Sequence, residues 1–443
     1  MEKTAWRRMV EAAHAQEESI MDSHVFEALS TETLPVRLGG NAALKEKVGS
    51  DSSRWTIREV GDGNLNLVFI VTGERGAVIV KQALPYVRLV GESWPLPLKR
   101  SFFEYHALKR QGARDPGMVP EILHFDEAQA IIVMEFLTPH IILRRALIDG
   151  RELPRIGRDL GLFVARTLFR GSDLSMVTRE KKADVALFSD NVELCDITEN
   201  LVFSDPYFEA KLNHHTTPQL DPIVAELRAD RELKVEAQRL KHLFSAKAET
   251  LCHGDLHSGS VMVTDDETRV IDPEFAFYGP ISFDVGMLIA NFWMSYFSQA
   301  GHEAAPGARD SMRTYLLDTI ETLWDTFRAE FAALWRTERK GILYQASLFE
   351  DRQDPLAAEQ ALNIVIDDIW HEMLGFAGIE THRRILGLAH NADFETITDP
   401  DRRAACESKA LKFGRHLAVN RQRIHSLRDI RETVERLEKE ILA

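Results

Sequence analysis

The chain has little cysteine, no long apolar run and a shortage of positive charge. Its 443 residues include three cysteines, Cys195, Cys252 and Cys406, far apart and without paired spacing. That pattern supports neither a disulfide framework nor a zinc site and fits a reducing compartment. The N-terminal stretch MEKTAWRRMVEAAHAQEES carries charge throughout and has no apolar segment of the kind a signal peptide needs. The most apolar internal stretch, Val285 to Met294, is too short to span a bilayer and contains Asn291. A cytoplasmic location is expected, with no membrane partner. The net charge of −15 argues against a general nucleic-acid binder, which needs a basic surface to displace counterions. A hydrophobic content of 44% and a charged content of 28% are those of an ordinary globular protein. No fixed-period repeat or low-complexity tract is present.

Residues 1 to about 25 read as an accessory helix. From Trp55, the β-branched runs WTIREV, LVFIVTG and AVIVK alternate with turns, the pattern of an antiparallel sheet. KRSFFEYHALKR, residues 99–110, has helical spacing, and EILHFD and AIIVMEFL read as two further strands. Five strands with a helix after the third make a small lobe over residues 26–138. Beyond Phe136 to His140, where Pro139 breaks the chain, residues 139–443 read as a larger, mainly helical lobe. Within it SVMVTD and RVIDPE form a short strand pair. The fold class is α+β and bilobal.

The strongest chemical signal is CHGDLHSGSVMV, residues 252–263, in which a tight polar loop carrying His253 and Asp255 leads into an apolar strand. Phosphoryl transfer to an alcohol needs a carboxylate to orient the hydroxyl and cations to hold the phosphates. Taken alone, Asp255 serves that role or simply closes an Asx turn. Asp272 separates the two readings. It follows Asp255 by 17 residues, after a short β-branched run, so a strand–turn–strand carries both carboxylates to one cleft. Asp272 is then a Mg²⁺ ligand.

The N-terminal half contains Gly61-Asp62-Gly63-Asn64-Leu65-Asn66 between two strands, a GxGxxG-like loop with Asn66 in the last glycine position. Such a loop brings backbone N–H groups to phosphates, and asparagine tolerates left-handed backbone. By itself it also reads as a plain hairpin turn. Lys81 ends AVIVK 18 residues after Gly63, which suits a lysine reaching the α- and β-phosphates. Glu104 on the next helix is placed to pair with Lys81, or else is a solvated helix residue.

The order of Gly-rich loop, Lys, Glu, His-Gly-Asp and Asp-x-Glu resembles the aminoglycoside-phosphotransferase branch of the protein-kinase-like fold. GDGNLNLVFIV, VIVKQALPYVR, ESWPLP, HGDLHSGSVMV, DPEFAFYGPISFDVGMLIANF and EMLGFAGIETHRRILGLAHNADFE narrow the resemblance to the methylthioribose kinases, from about residue 22 to the C-terminus. That resemblance implies transfer of the γ-phosphoryl of ATP to the 1-hydroxyl of 5-methylthioribose, a step of methionine salvage. It implies Asp255 as the base, Asp272 as a Mg²⁺ ligand, and Arg383 and Arg384 beside the sugar and the transferring phosphoryl. Adjacent helical residues point about 100° apart, so one arginine is expected at the site and the other bracing the loop. The resemblance also implies Met134, Glu135, Phe136 and Leu137 as the adenine hinge and ESWPLP as a loop near the nucleotide. Homodimers are frequent in the family.

Ser260 stands where protein kinases place a Mg²⁺-binding Asn, and Asp272-Pro273-Glu274 replaces Asp-Phe-Gly. Glu274 is therefore expected to supply the missing metal-ligand charge. Two other readings stand beside this one. A kinase of the same fold could act on 5-deoxyribose, an aminoglycoside or choline. The arginine pair disfavours the cationic acceptors. A catalytically silent ATP-binding scaffold is disfavoured by the retained Lys81, Glu104, Asp255 and Asp272.

Overall fold

The structure is a computed structural model that describes residues 26–61, 65–87 and 91–440. The expected accessory helix at 1–25 lies outside the described residues, as do Asp62, Gly63 and Asn64. The chain divides into two compact units. The first runs up to Phe102 and adds Ile122–Phe136; the second holds Phe103–Glu121 and everything from Leu137.

The first unit contains a five-stranded antiparallel sheet in the order β1-β2-β3-β7-β6. Its strands are β1 (Thr56–Glu59), β2 (Asn66–Thr72), β3 (Ala77–Ala83), β6 (Ile122–Asp126) and β7 (Ile131–Glu135). The five runs read from the sequence form these five strands. Every second residue points to one face, so Phe69, Val71, Val78, Val80, Ile131 and Val133 share a core with Leu34, Leu38, Leu44 and Trp55. Two short helices, Thr33–Leu38 and Ala42–Lys47, supply those leucines, and Asn41 caps the second by accepting from the N–H groups of Ala43 and Leu44. Each fully buried aliphatic side chain contributes about 1.5–3 kcal/mol. ESWPLP departs from its reading as a loop. Gly91–Pro95 is a strand, β5, paired with β4 (Tyr86–Val87).

The helix read at 99–110 spans Arg100–Arg114. Expected with the small lobe, it groups from Phe103 onward with the second unit. Its side chains explain why. Arg110 donates to both oxygens of Asp184 at 2.7 and 2.6 Å, the Tyr278 hydroxyl donates to the same carboxylate, and the ring of Phe103 lies 6.1 Å from that of Phe188.

In the second unit β9 (Thr250–Cys252) pairs with β12 (Phe277–Gly279), and β10 (Val261–Val263) pairs with β11 (Thr268–Val270) and with β8 (Ile141–Ile142). The rest is helical. Val285–Met294 lies in the middle of the helix Ile281–His302, whose residues are buried almost throughout. Among the described residues no helix is long and apolar enough to cross a membrane. The stretch 221–246 is two helices, because Asp230 is extended and caps the second by accepting from the N–H of Leu233. The helix Pro355–Leu386 approaches Pro400–Asn420 closely, and a Cβ on Gly378 would lie 2.3 Å from the carbonyl of Gly414. That approach seats the last turn of the first helix, which carries His382, Arg383 and Arg384.

Candidate active site

The site begins where β9 ends. The buried carboxylate of Asp284, at the start of the helix Ile281–His302, accepts from the backbone N–H groups of His253 and Gly254. Burial pushes the Asp284 carboxyl up, and His253 and those two N–H donors oppose it. Gly254 has φ +87°, and a Cβ there would meet the Phe275 carbonyl oxygen at 2.0 Å, so the turn requires glycine. His253 Nδ1 accepts from the N–H of Asp255, which leaves Nε2–H to donate to the carbonyl of Ile271 at 2.9 Å. One imidazole thus ties the Asp255 loop to the residue preceding Asp272.

Asp255 is met by three donors. Arg383 and Arg384 each donate Nη2 to its Oδ1 at 2.9 Å, and His257 Nε2 lies 3.2 Å from Oδ2. The expectation that one arginine faces the site while the other braces the loop is corrected. The Nε groups of both bind Glu380, at 2.7 Å each, and their long side chains then converge on one oxygen. Burial would raise the Asp255 carboxyl, but His257, Arg384 and Arg383 together hold it well below the usual carboxylate range. His257 is pushed down to about 4 by burial against the pull of Asp255, with Arg384 and Arg144 adding to the fall. Its Nδ1 accepts from the N–H of Gly259 and lies 3.2 Å from the Ser260 hydroxyl, so the neutral ring carries its proton on Nε2, toward Asp255.

Arg144 lies beside this loop. Its Nε donates to Ser258 Oγ and its Nη2 to Asn291 Oδ1, both at 3.1 Å, and the buried Asp393 is its counter-ion at 3.4 Å. Burial lowers Arg144 to about 10 and raises Asp393 to about 6, each opposed by the other. The Ser260 hydroxyl donates to the Asp255 carbonyl, so it is engaged within the loop.

Glu104, Asp272 and Glu274 each bring a carboxylate oxygen within 4.8 Å of the others. Two of the three were read as metal ligands. Glu104, expected beside Lys81, adds its carboxylate to this group. Asp272 has φ +70°, a conformation an L residue adopts at a cost of about 1–3 kcal/mol. The turn after it is fixed by Asn191, whose amide donates to the carbonyls of Glu274 and Ala276. Three clustered hard oxygen donors suit Mg²⁺, which keeps its other positions for water and phosphate.

In the first unit Lys81 is buried in β3, opposite Val68 of β2 and Ile132 of β7. Gly61 is an exposed turn residue. Asn66 corrects its reading as a left-handed turn residue. It is the first residue of β2, and its side-chain oxygen accepts from Nη2 of the buried Arg100. Arg100 also donates to the carbonyls of Leu65, Leu84 and Pro97, so the polar side chain of Asn66 satisfies a buried cation. Met134 and Glu135 pair with Ile79 and Val78, and the chain leaves the first unit between Phe136 and Leu137.

Sequence reasoning did not single out His257, Asp284, Arg144 or Glu380. The signal for Glu380 is its spacing, three and four residues before the two arginines, where helical neighbours meet.

The phosphotransferase enzyme family (APH) matches residues 56–315. Methylthioribose kinase 1 of Oryza sativa subsp. japonica is 42% identical over 405 residues, covering 91% of this chain and 94% of that one. A methylthioribose kinase of Escherichia coli O45:K1 (strain S88 / ExPEC) is 41% identical over 404 residues, covering 91% and 96%. One from Geobacillus thermodenitrificans (strain NG80-2) is 41% identical over 418 residues, covering 93% and 98%. The chain belongs to the phosphotransferase enzyme family and, within it, to the methylthioribose kinases.

Proposed function

We propose that this enzyme transfers the γ-phosphoryl group of ATP to the 1-hydroxyl of 5-methylthioribose, giving ADP and the sugar 1-phosphate, as a step of methionine salvage. The observation that carries the reading is an ionised Asp255 held between two arginines and a neutral histidine. The activity named for relatives that match nine-tenths of this chain at about two residues in five supports the sugar.

In this reading Asp255 orients the acceptor hydroxyl and takes its proton as the oxygen–phosphorus bond forms. The loose transition state of phosphoryl transfer asks little basicity of it, which suits a carboxyl held low. Arg383 and Arg384 stabilise the charge on the phosphoryl in flight. Asp272 and Glu274, with Glu104, would hold Mg²⁺, which supplies charge neutralisation at the β- and γ-phosphate oxygens. Lys81 takes the α- and β-phosphates, the loop Gly61–Asn66 covers them, and Met134–Leu137 meets adenine. The reading takes the cytoplasm as the compartment, small molecules as the partners and a homodimer as the assembly.

The test is ADP formation by the purified protein from Mg·ATP with 5-methylthioribose or 5-deoxyribose, using Asp255→Ala as control. Turnover on methylthioribose that disappears in the variant is the expected result. The lost thiomethyl contact should cost 5-deoxyribose only ~1–3 kcal/mol. Activity on 5-deoxyribose alone would overturn the substrate, and ATP binding without turnover on any sugar would overturn the reaction.

A further inference from the structure

Glu380 has no place in the reaction as written, yet it is a fully enclosed charge near Asp255, with no exposed surface. It lies on the last turns of the helix Pro355–Leu386, three residues before Arg383 and four before Arg384. Helical side chains lean toward the N-terminus, so an acid at this spacing meets both bases. Its two oxygens are divided between them, Oε2 to Nε of Arg383 and Oε1 to Nε of Arg384, both at 2.7 Å. From these anchored Nε groups the two Nη2 groups reach the same oxygen of Asp255. Two carboxylates and two guanidiniums form a closed ring without net charge. Without Glu380, two adjacent cations would share a single carboxylate in a buried site. Among the described residues no partner meets Nη1 of either arginine.

We infer that Glu380 is the positioning residue of the site, clamping Arg383 and Arg384 by Nε so that both guanidinium planes are aimed at Asp255 and at the phosphoryl passing to the acceptor hydroxyl. The inference rests on the reading of Asp255 and the arginine pair given above. A guanidinium free to rotate about its terminal bonds shifts its donors by an ångström or more, and misplacement on that scale costs about 10²-fold in rate. A lysine at either arginine position keeps the charge but presents it from a single nitrogen, without the planar fork that places Nε on Glu380 and Nη2 on Asp255 at once. The acid acts on transfer and not on nucleotide capture, so its loss falls on kcat and leaves KM for ATP near the wild-type value.

The test compares Glu380→Gln, Arg383→Lys, their double variant and Asp255→Ala in the same ADP-release assay, with circular dichroism and thermal melting to establish that each is folded. Gln keeps the volume and one acceptor oxygen, so kcat should fall roughly tenfold to a hundredfold, with KM for ATP unchanged. The double variant should lose less than the product of the two single losses, because an acid that works through the arginines has only Arg384 left to position once Arg383 is replaced. An acid needed only for stability would lower the melting temperature without this kcat–KM split or the non-additivity. Wild-type kcat in folded Glu380→Gln would overturn the inference. If Glu380→Gln does not fold, Arg383→Lys alone reads the same clamp, and wild-type kcat there overturns it equally. Turnover retained in Asp255→Ala would instead overturn the reading of the base.

Discussion

Acidification should expose how much stability this protein draws from keeping two histidines neutral. His382 has no exposed surface; its Nδ1 accepts from the Tyr207 hydroxyl and its Nε2–H donates to the Leu411 carbonyl. Burial lowers it to about 4 against the pull of the Leu411 carbonyl and Asp230. His257 is lowered to about 4 as well. The unfolded chain takes up a proton on each below the ordinary 6.5, while the folded protein stays neutral until about 4. The unfolded state therefore binds more protons across that window, so stability rises with pH there and is lost on acidification from 6.5 toward 4. At ~1.4 kcal/mol per pH unit, each histidine should remove about 2 kcal/mol between about pH 7.5 and about pH 5. The assay is urea unfolding of wild type and His382→Gln at both pH values. The variant cannot take up the proton, so its stability should fall by ~2 kcal/mol less than that of wild type over the same interval. Other titrating groups are common to both proteins and cancel in the difference. An identical pH dependence in the two would refute the assignment of His382 as a histidine held neutral by burial.

Gly254→Ala forces an L residue to φ +87° with its Cβ on the Phe275 carbonyl, and should cost at least ~3 kcal/mol. Thermal melting and ADP release should both drop, and a variant that melts and turns over like wild type would contradict the crowding of the two loops. Glu274→Gln removes one anionic ligand from the three-carboxylate group, and should raise the Mg²⁺ concentration for half-maximal turnover roughly tenfold or more. A Mg²⁺ titration superimposable on that of wild type would remove Glu274 from the metal set.

Much of the fold was legible because its signals are local. Strand alternation marked Phe69, Val71, Val78 and Val80, and the punctuation around His253–Asp255 and Asp272–Glu274 marked two loops joined by the β10–β11 hairpin. The short helices at 33–47 passed unnoticed, since six residues hold too little periodicity to register. The helical periodicity of residues 221–246 does not show the break at Asp230, whose capping bond is a choice of conformation that apolar spacing does not encode.

The sequence by itself determined the residue types at the site and their order along the chain, because phosphoryl transfer demands a carboxylate loop, a metal-binding turn and basic side chains. Tertiary structure alone decided which of those charges meet. Arg383 lies 128 residues from Asp255, and its convergence with Arg384 on one oxygen depends on where two helices and a loop come to rest. The same holds for Glu104, drawn into the Asp272–Glu274 group, and for Asn66, taken up by Arg100. A buried charge must find an opposite charge or a hydrogen-bond partner wherever packing leaves it, and neither spacing nor propensity records that place.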